Sequence, residues 1–315
     1  TICSRDWSSD VCSSDLDDDP LRILRCIRFA SRYGWEIEYD TYEGMVRNVS
    51  RLEIITKERV KDEFCKMLTC KHPIMAMELL RKIGAMHYVI PELEETYSMT
   101  QNEYHFGTVW EHTMVVLEGT KDDNMILRIS ALLHDIGKIR VCTEEDGKIH
   151  FLKHELKSGE MIDELLRPLK FSNEIIKEVT FLVRNHMICK TWGSECEYMK
   201  DKKLRRLQYE CKTEERFRNL MTIIDADNNA YAADKCIPKQ VEFILSRTEA
   251  MKAEGSAMFG YKLPLTGKEI MDLKGIKPGS AVKECLDYLM KIAFANPLRK
   301  KEEFVKHLLG YRLQK

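Results

Sequence analysis

Four histidines and two aspartates are spaced along the chain in a way that suits a metal centre. His112 lies in VWEHTMVVL, His134-Asp135 ends LRISALLHDIGK just before Gly137, and His154 lies in FLKHELKSGE. His186 follows in FLVRNHMI and Asp227 in MTIIDADNNA. Imidazole nitrogens and carboxylate oxygens together suit a borderline or hard divalent cation held by several helices. Such a cation lowers the pKa of a coordinated water and would offer a positive cradle to a phosphate ester. A lone histidine such as His112 is more often a satisfied core residue. The His-Asp doublet before a glycine, with partners on either side, turns that preference around. His154 and His186 stand evenly between ligand and core roles, His105 and His150 read as bystanders, and Asp225 competes with Asp227 for the last position.

A second constellation opens the first helix: Asp18-Asp19-Pro20-Leu21-Arg22, then Arg25 and Arg28. Acids at a helix start and arginines on a solvated face are an ordinary arrangement. They also make a base reader. A carboxylate only accepts and a guanidinium only donates. Cytosine and adenine each set an exocyclic amino donor beside a ring-nitrogen acceptor, whereas uracil and guanine reverse the order. An Asp/Arg pair in one plane accepts C and A and rejects U and G.

The elements that must position these groups are almost all helices. Residues 21–33 put Ile23, Leu24, Ile27 and Ala30 on one face and Arg22, Arg25, Arg28 and Arg32 on the other, with Gly34 as the stop. Helical patterns follow at 57–69, 73–83, 108–119, 124–136, 155–167, 172–185, 201–209 and 213–230, then at 238–253, 267–273, 280–294 and 301–311. Lys138–Cys142 and Lys148–Leu152 flank Asp146-Gly147, a hairpin signal. Segment 190–200 reads as a loop and 254–266 as a linker. The fold class expected is all-α: a multi-helical neck and body with a helical bundle around the histidines and one small β-hairpin. In a chain of 315 residues, 50 Lys and Arg against 51 Asp and Glu give a net charge of −1. Nucleic-acid binding must then rest on local patches, for which Lys202, Lys203, Arg205, Arg206, Arg299, Lys300 and Lys301 are candidates. No apolar run reaches 18 residues, so no transmembrane helix and no membrane partner is expected. The 11 cysteines are scattered without CxxC pairs and read as reduced fillers, in keeping with a cytoplasmic protein. Residues 1–16, TICSRDWSSDVCSSDL, repeat Ser-Ser-Asp without apolar period and resemble translated sequencing adapter, so they are read as a scar.

DDPLRILRCIRFASRYGWEIE resembles the neck of class II tRNA nucleotidyltransferases and poly(A) polymerases, as do RVKDEFCKML and AMELLRKIGAMHYVIPELE. The resemblance implies that Asp19 and Arg22 read the incoming base, with Asp18 standing where the family usually has Glu. It also implies tRNA as partner, with CTP and ATP as substrates of the intact enzyme and Mg2+ at a polymerase head expected to be missing here. Asp225-Ala226-Asp227 is itself a DxD but lacks the head's strand and Gly-Ser turn. The order His…His-Asp…Asp resembles the HD phosphohydrolase superfamily. That likeness implies His112, His134, Asp135 and Asp227 as metal ligands, His134 and Asp135 as catalytic, and His154 and His186 as further ligands or phosphate binders. The organisation expected is a neck at 17–100, an HD domain at 101–253 and a tail at 254–315, whose Gly275-Ile276-Lys277-Pro278-Gly279 turn resembles the family's. The function expected is CCA addition by the intact parent, with a 2′,3′-cyclic phosphodiesterase or phosphatase-like site in the HD body. The alternatives are a self-standing HD phosphohydrolase acting on nucleotides or RNA ends, and a non-catalytic RNA-binding module.

Overall fold

The computed structural model describes residues 19–102, 107–120, 124–231 and 236–313. The reading of residues 1–16, and those of Asp18 and His105, therefore fall outside the described residues. Among the described residues there are fifteen α-helices and one two-stranded sheet, which is the all-α architecture expected. The chain forms two compact units, Thr1–Ile188 with Thr222–Ile237, and Cys189–Met221 with Pro238–Lys315.

The first unit begins with α1 (Leu21–Tyr33), whose Ile23, Leu24, Ile27 and Ala30 are fully buried as its apolar period requires. Gly34 ends it in the left-handed conformation at φ 70°, its N–H returning to the Ala30 carbonyl. Then come α2 (Tyr39–Asn48), α3 (Lys57–Leu68) and α4 (Pro73–Ile83), with α1 packed against α3 and α4. After two 3-10 turns at Ala85–Tyr88 and Pro91–Thr96 the chain enters α5 (Val109–Gly119) and α6 (Met125–Leu133). A capping box fixes the start of α5, where Thr108 Oγ1 accepts from Glu111 N–H and Glu111 accepts from Thr108 N–H. A short turn, α7 (Lys138–Val141), leads to α8 (His154–Leu166) and α9 (Asn173–Asn185), which pack on each other. One core runs from Leu21 through Phe64, Leu80, Trp110, Leu132 and Val179 to Ala230, so α1, α3 and α4 and the histidine-bearing helices share their interior.

The hairpin is shorter than expected. Strands β1 (Thr143–Glu145) and β2 (Lys148–His150) pair antiparallel about Asp146-Gly147, but Lys138–Val141 is helical rather than extended. The reason is Lys138, whose buried ammonium is drawn to Asp135 three residues earlier, a spacing that a helical turn satisfies and a strand does not.

The second unit contains α10 (Asp201–Cys211), the first half of α11 (Glu214–Asn229), α12 (Gln240–Ala253), α13 (Gly267–Lys274), α14 (Ser280–Ala295) and α15 (Lys301–Gly310). The stretch 254–266 is irregular but not a solvated linker. Its Met258 and Leu265 belong to a core with Ile270, Leu289 and Phe304.

Candidate metal centre

Each donor of the first constellation is delivered by a different piece of the first unit. His112 sits on α5, His134 caps the C-terminus of α6, Asp135 follows it, His154 opens α8, His186 caps α9, and Asp227 rides on the last turn of α11. All six are buried: His134 is 0% exposed, and the largest value is 8%, at His154. The side chains of all six converge. His112 Nε2 lies 3.2 Å from Asp227 Oδ1 and 3.5 Å from Asp135 Oδ2, while His134 Nε2 lies 3.2 Å from Asp135 Oδ2. On the other side of the same carboxylate, His154 Nε2 is 3.1 Å and His186 Nε2 3.8 Å from Asp135 Oδ1. Two groups of donors result, His112–His134–Asp227 and His134–Asp135–His186, sharing His134.

The hydrogen bonds at the far side of each ring decide what these donors can hold. His134 Nδ1 donates to the Ala131 carbonyl at 2.8 Å, His154 Nδ1 to Phe151 at 2.9 Å and His186 Nδ1 to Val183 at 2.7 Å. His112 Nδ1 donates to the Ala230 carbonyl at 3.3 Å. A carbonyl only accepts, so a neutral ring carries its proton on Nδ1 and turns a bare lone pair inward from Nε2. The Nε2 atoms of His112 and His134 are then 3.3 Å apart, and those of His154 and His186 3.4 Å apart, with two carboxylates between them. Acceptors facing acceptors in a buried site is costly unless a cation lies among them. This donor set fits a divalent metal ion.

The local charge is consistent with that. Burial disfavours a charge on His134, yet Asp135 and then Asp227 outweigh it and draw its pKa up. Burial would likewise raise Asp135, but His134, Lys138 and His154 hold its carboxyl well below the usual range. Burial, helped by His134 and His154, depresses His186 to about 3.

Two further residues complete the site that sequence reasoning missed, and the structure explains a glycine that it noted. Lys138 is 2% exposed, with Nζ 2.7 Å from Asp135 Oδ2 and 2.7 Å from Gln101 Oε1. Ser158, fully buried one turn beyond His154, accepts the Gly137 N–H at 2.8 Å. Gly137 explains the glycine after the doublet: a Cβ there would stand 2.4 Å from Ser158 N and 2.5 Å from the His154 carbonyl oxygen. The His134-Asp135 turn is thus pressed directly on the start of α8. The signal for Lys138 was its Asp-x-x-Lys spacing, masked by the usual exposure of lysine. Asp225, two residues from Asp227, is half-buried and outside the grouped donors, and His150 lies on β2 away from them.

The second constellation is only partly assembled among the described residues. Asp19 Oδ1 accepts from the Leu21 N–H at 3.2 Å and Asp19 Oδ2 from Arg59 of α3 at 3.1 Å. Arg22 is half-buried and Arg25 exposed. Arg28 Nε forms an ion pair at 2.8 Å with Glu63, itself 6% exposed, so its charge is held between α1 and α3. Neither Arg59 nor Glu63 stood out in the sequence, because both are ordinary charged positions of an amphipathic helix. Arg205, read as a phosphate tracker, is instead 8% exposed and donates to the carbonyls of Ser256, Phe294 and Ala295. Arg206, Arg299 and Lys301 pair with Glu210, Glu303 and Glu269.

A family described as "HD domain" matches residues 69–228, just over half of the chain. The chain belongs to the HD domain family. A second family, described as "Probable RNA and SrmB- binding site of polymerase A", matches residues 34–96. Homologues of this HD protein are tRNA nucleotidyltransferases. The CC-adding tRNA nucleotidyltransferase of Thermus thermophilus is 26% identical over 96% of this chain and 69% of its own length. The A-adding tRNA nucleotidyltransferase of Deinococcus radiodurans is 28% identical over 88% of this chain and 64% of its own. The chain thus spans about two thirds of the length of these relatives. In fold it is similar to the Bacillus stearothermophilus CCA-adding enzyme crystallised with CTP, with a TM-score of 0.62 at 18% identity, over 96% of this chain and 63% of that one. Among the described residues no helix is long and apolar enough to cross a membrane.

Proposed function

We propose that this chain is the RNA-facing neck and body of a tRNA nucleotidyltransferase that builds all or part of CCA at tRNA 3′ ends, and that its HD site is a divalent-metal phosphohydrolase centre. The observation that carries the second half is the convergence of four imidazole Nε2 atoms and two carboxylates, with each ring's Nδ1 tied to a backbone carbonyl. The relatives that add CC or A to tRNA support the first half. In this reading residues 17–100 form the neck, 101–253 the HD domain and 254–315 the tail. Nucleotidyl transfer, with Mg2+, CTP and ATP, belongs to a head outside the sequence, and the protein works in the cytoplasm.

At the HD site His112, His134, Asp135 and Asp227 would hold the metal, and His154 and His186 would hold a second ion or a phosphate oxygen. A bound divalent ion supplies Lewis acidity for hydrolysis of a phosphate ester such as a 2′,3′-cyclic phosphate. The protein's own part is to aim the rings through their Nδ1 bonds, to hold Asp135 among the four rings, and to offset charge with Lys138. At the neck Asp19 and Arg22, with Asp18, would read C and A through their complementary acceptors and donors. Arg59 fixes the Asp19 carboxylate from the neighbouring helix. The self-standing phosphohydrolase is the second reading, favoured by the fact that all six HD donors come from one compact unit.

The test is metal content by mass spectrometry and hydrolysis of a 2′,3′-cyclic nucleotide, beside a His134→Ala/Asp135→Ala variant, with tRNA binding measured on the same samples. Metal-dependent turnover lost in the variant supports the phosphohydrolase, and tRNA binding retained supports the neck and body. Metal-free protein without turnover would remove the HD half, and absence of salt-dependent tRNA binding would favour the second reading.

A further inference from the structure

Gln101 lies outside the donor cluster, on the segment before α5, yet it joins two of the pieces that carry the donors. Its Oε1 accepts from Lys138 Nζ at 2.7 Å, and its Nε2 donates to the Thr108 carbonyl at 3.1 Å. Thr108 caps α5, and the same carbonyl accepts the His112 N–H at 3.1 Å. Lys138 in turn lies 2.7 Å from Asp135 Oδ2. One side chain therefore runs from the start of the His112 helix to the charge that faces Asp135. Its backbone is held to the same place, since Thr100 pairs with Thr108 and the Val109 N–H donates to the Met99 carbonyl at 2.9 Å.

The two ends of this link call for a carboxamide. An ammonium only donates and a carbonyl only accepts, so the amide oxygen must face Lys138 and the amide nitrogen Thr108. Glutamate would set a carboxylate against the Thr108 carbonyl and would compete with Asp135 for the ammonium. Leucine would leave both partners unmet. Around the ammonium are Asp135, Gln101 and the Phe151 ring, whose centroid lies 5.2 Å away. Of these Asp135 alone carries charge, so the amide fixes the direction of Nζ without cancelling its charge. A lysine stem is flexible, and at 2% exposure water does not supply the second partner that fixes it. The consequence lies in the balance of charge. Ligating imidazoles are neutral, so the carboxylates of Asp135 and Asp227 balance one divalent ion. Lys138 then supplies the surplus positive charge that an anionic ester meets. We propose that Gln101 is a positioning residue of the HD site, holding the Lys138 ammonium beside Asp135 and so setting how tightly the site takes up a phosphate anion. The proposal rests on the HD reading above.

The experiment uses the full chain with Mn2+, and inorganic phosphate as the probe. Titration calorimetry measures both, turnover of a 2′,3′-cyclic nucleotide gives KM and kcat, and 15N NMR follows the Lys138 ammonium, assigned by its absence in Lys138→Arg. Gln101→Leu should weaken phosphate binding and raise KM by roughly 10-fold or more, the usual effect of losing a partner that orients a metal-site group. Metal stoichiometry should hold, kcat should change less, and the slowly exchanging ammonium resonance should be lost. Gln101→Glu keeps an acceptor for Lys138, so it should keep the resonance and still weaken phosphate binding by offsetting the charge. In a Lys138→Met background, Gln101→Leu should change phosphate affinity by less than about twofold, because the two residues act along one chain of contacts. Equal losses in both backgrounds, or an undisturbed ammonium resonance in Gln101→Leu, overturn the proposal, since Gln101 then only braces the start of α5. Should Lys138→Met not fold, the resonance decides. A parent chain that binds neither Mn2+ nor phosphate removes the HD reading and the proposal with it. A parent that binds both, with Gln101→Leu unchanged, removes the proposal alone.

Discussion

Lys138 is the residue that most changes the picture of the HD site. A lysine at 2% exposure, bonded to Asp135 and Gln101, is a fixed positive charge set against a cluster otherwise made of acceptors. Removing one partner of a buried pair costs about 3–5 kcal/mol, because the other charge is left uncompensated. Lys138→Met is therefore expected to lower the metal-free protein's stability by about that amount. Saturating divalent metal should restore much of the loss, because the ion replaces the missing positive charge beside Asp135. Denaturant unfolding with and without metal measures both. A loss that metal leaves untouched would mean that Lys138 serves packing alone. The donors themselves were legible in the sequence because imidazole and carboxylate advertise their chemistry and occur in a recognisable order. Lys138 and Ser158 were not, since nothing in a lysine or serine at those positions distinguishes a buried partner from a solvated one. Burial is a property of the assembled helices.

At the scale of elements, the close approach of the His134-Asp135 turn to α8 is what sets His154 3.1 Å from the Asp135 carboxylate. Gly137→Ala places a methyl 2.4 Å from a backbone nitrogen that cannot move without shifting α8. Stability should fall by about 1–3 kcal/mol, the usual cost of overpacking, and metal affinity by tenfold or more, since His154 moves relative to His134. Calorimetric metal titration would show it, and an unchanged affinity would show that the turn and α8 are not coupled. Arg205 makes a contrasting case. Its guanidinium holds the final carbonyls of α14, so Arg205→Met should destabilise the second unit by about 2–3 kcal/mol, with backbone acceptors left unpaired. tRNA affinity should not change, the opposite of what a phosphate-tracking arginine would give. Nearby, Arg247 lies 2.6 Å from Asp201 and 2.7 Å from Glu254, and both carboxyls are held below their usual values by that contact. Depressed carboxyl pKa values contribute stability that is present above the ordinary carboxylate range and lost as pH falls through and below it. Arg247→Met should accordingly flatten the acid limb of the stability–pH curve, read by thermal unfolding between neutral and strongly acidic pH. Helices with a strong apolar period were legible almost to the residue, α1 and α4 among them. Helix α2 was not: YDTYEGMVRN contains a central glycine and buries only Gly44 and Met45, so it is held by its neighbours rather than by its own pattern.

For the whole molecule, the two compact units differ in what a metal can do for them. Every HD donor belongs to the first unit, including Asp227 on the half of α11 that begins at Thr222, while the second unit has its own core around Met258, Leu289 and Phe304. The boundaries drawn from the sequence at 100 and 253 follow changes of motif. The compact units follow shared cores, and a core joining α1 to α9 leaves no local mark in composition for a reader to find. A ligand that binds only the folded state stabilises the part that must be folded to bind it, by about 2.7 kcal/mol at a hundredfold excess over Kd. Amide hydrogen exchange with and without divalent metal should therefore show added protection in residues 109–119, 125–141, 154–186 and 222–230. Residues 267–310 should exchange as before. Protection rising equally in both units would mean that they open as a single cooperative body, and metal at the HD site would then govern the stability of the tail as well. Protection confined to the first unit would instead leave the second free to open while the donor cluster stays intact.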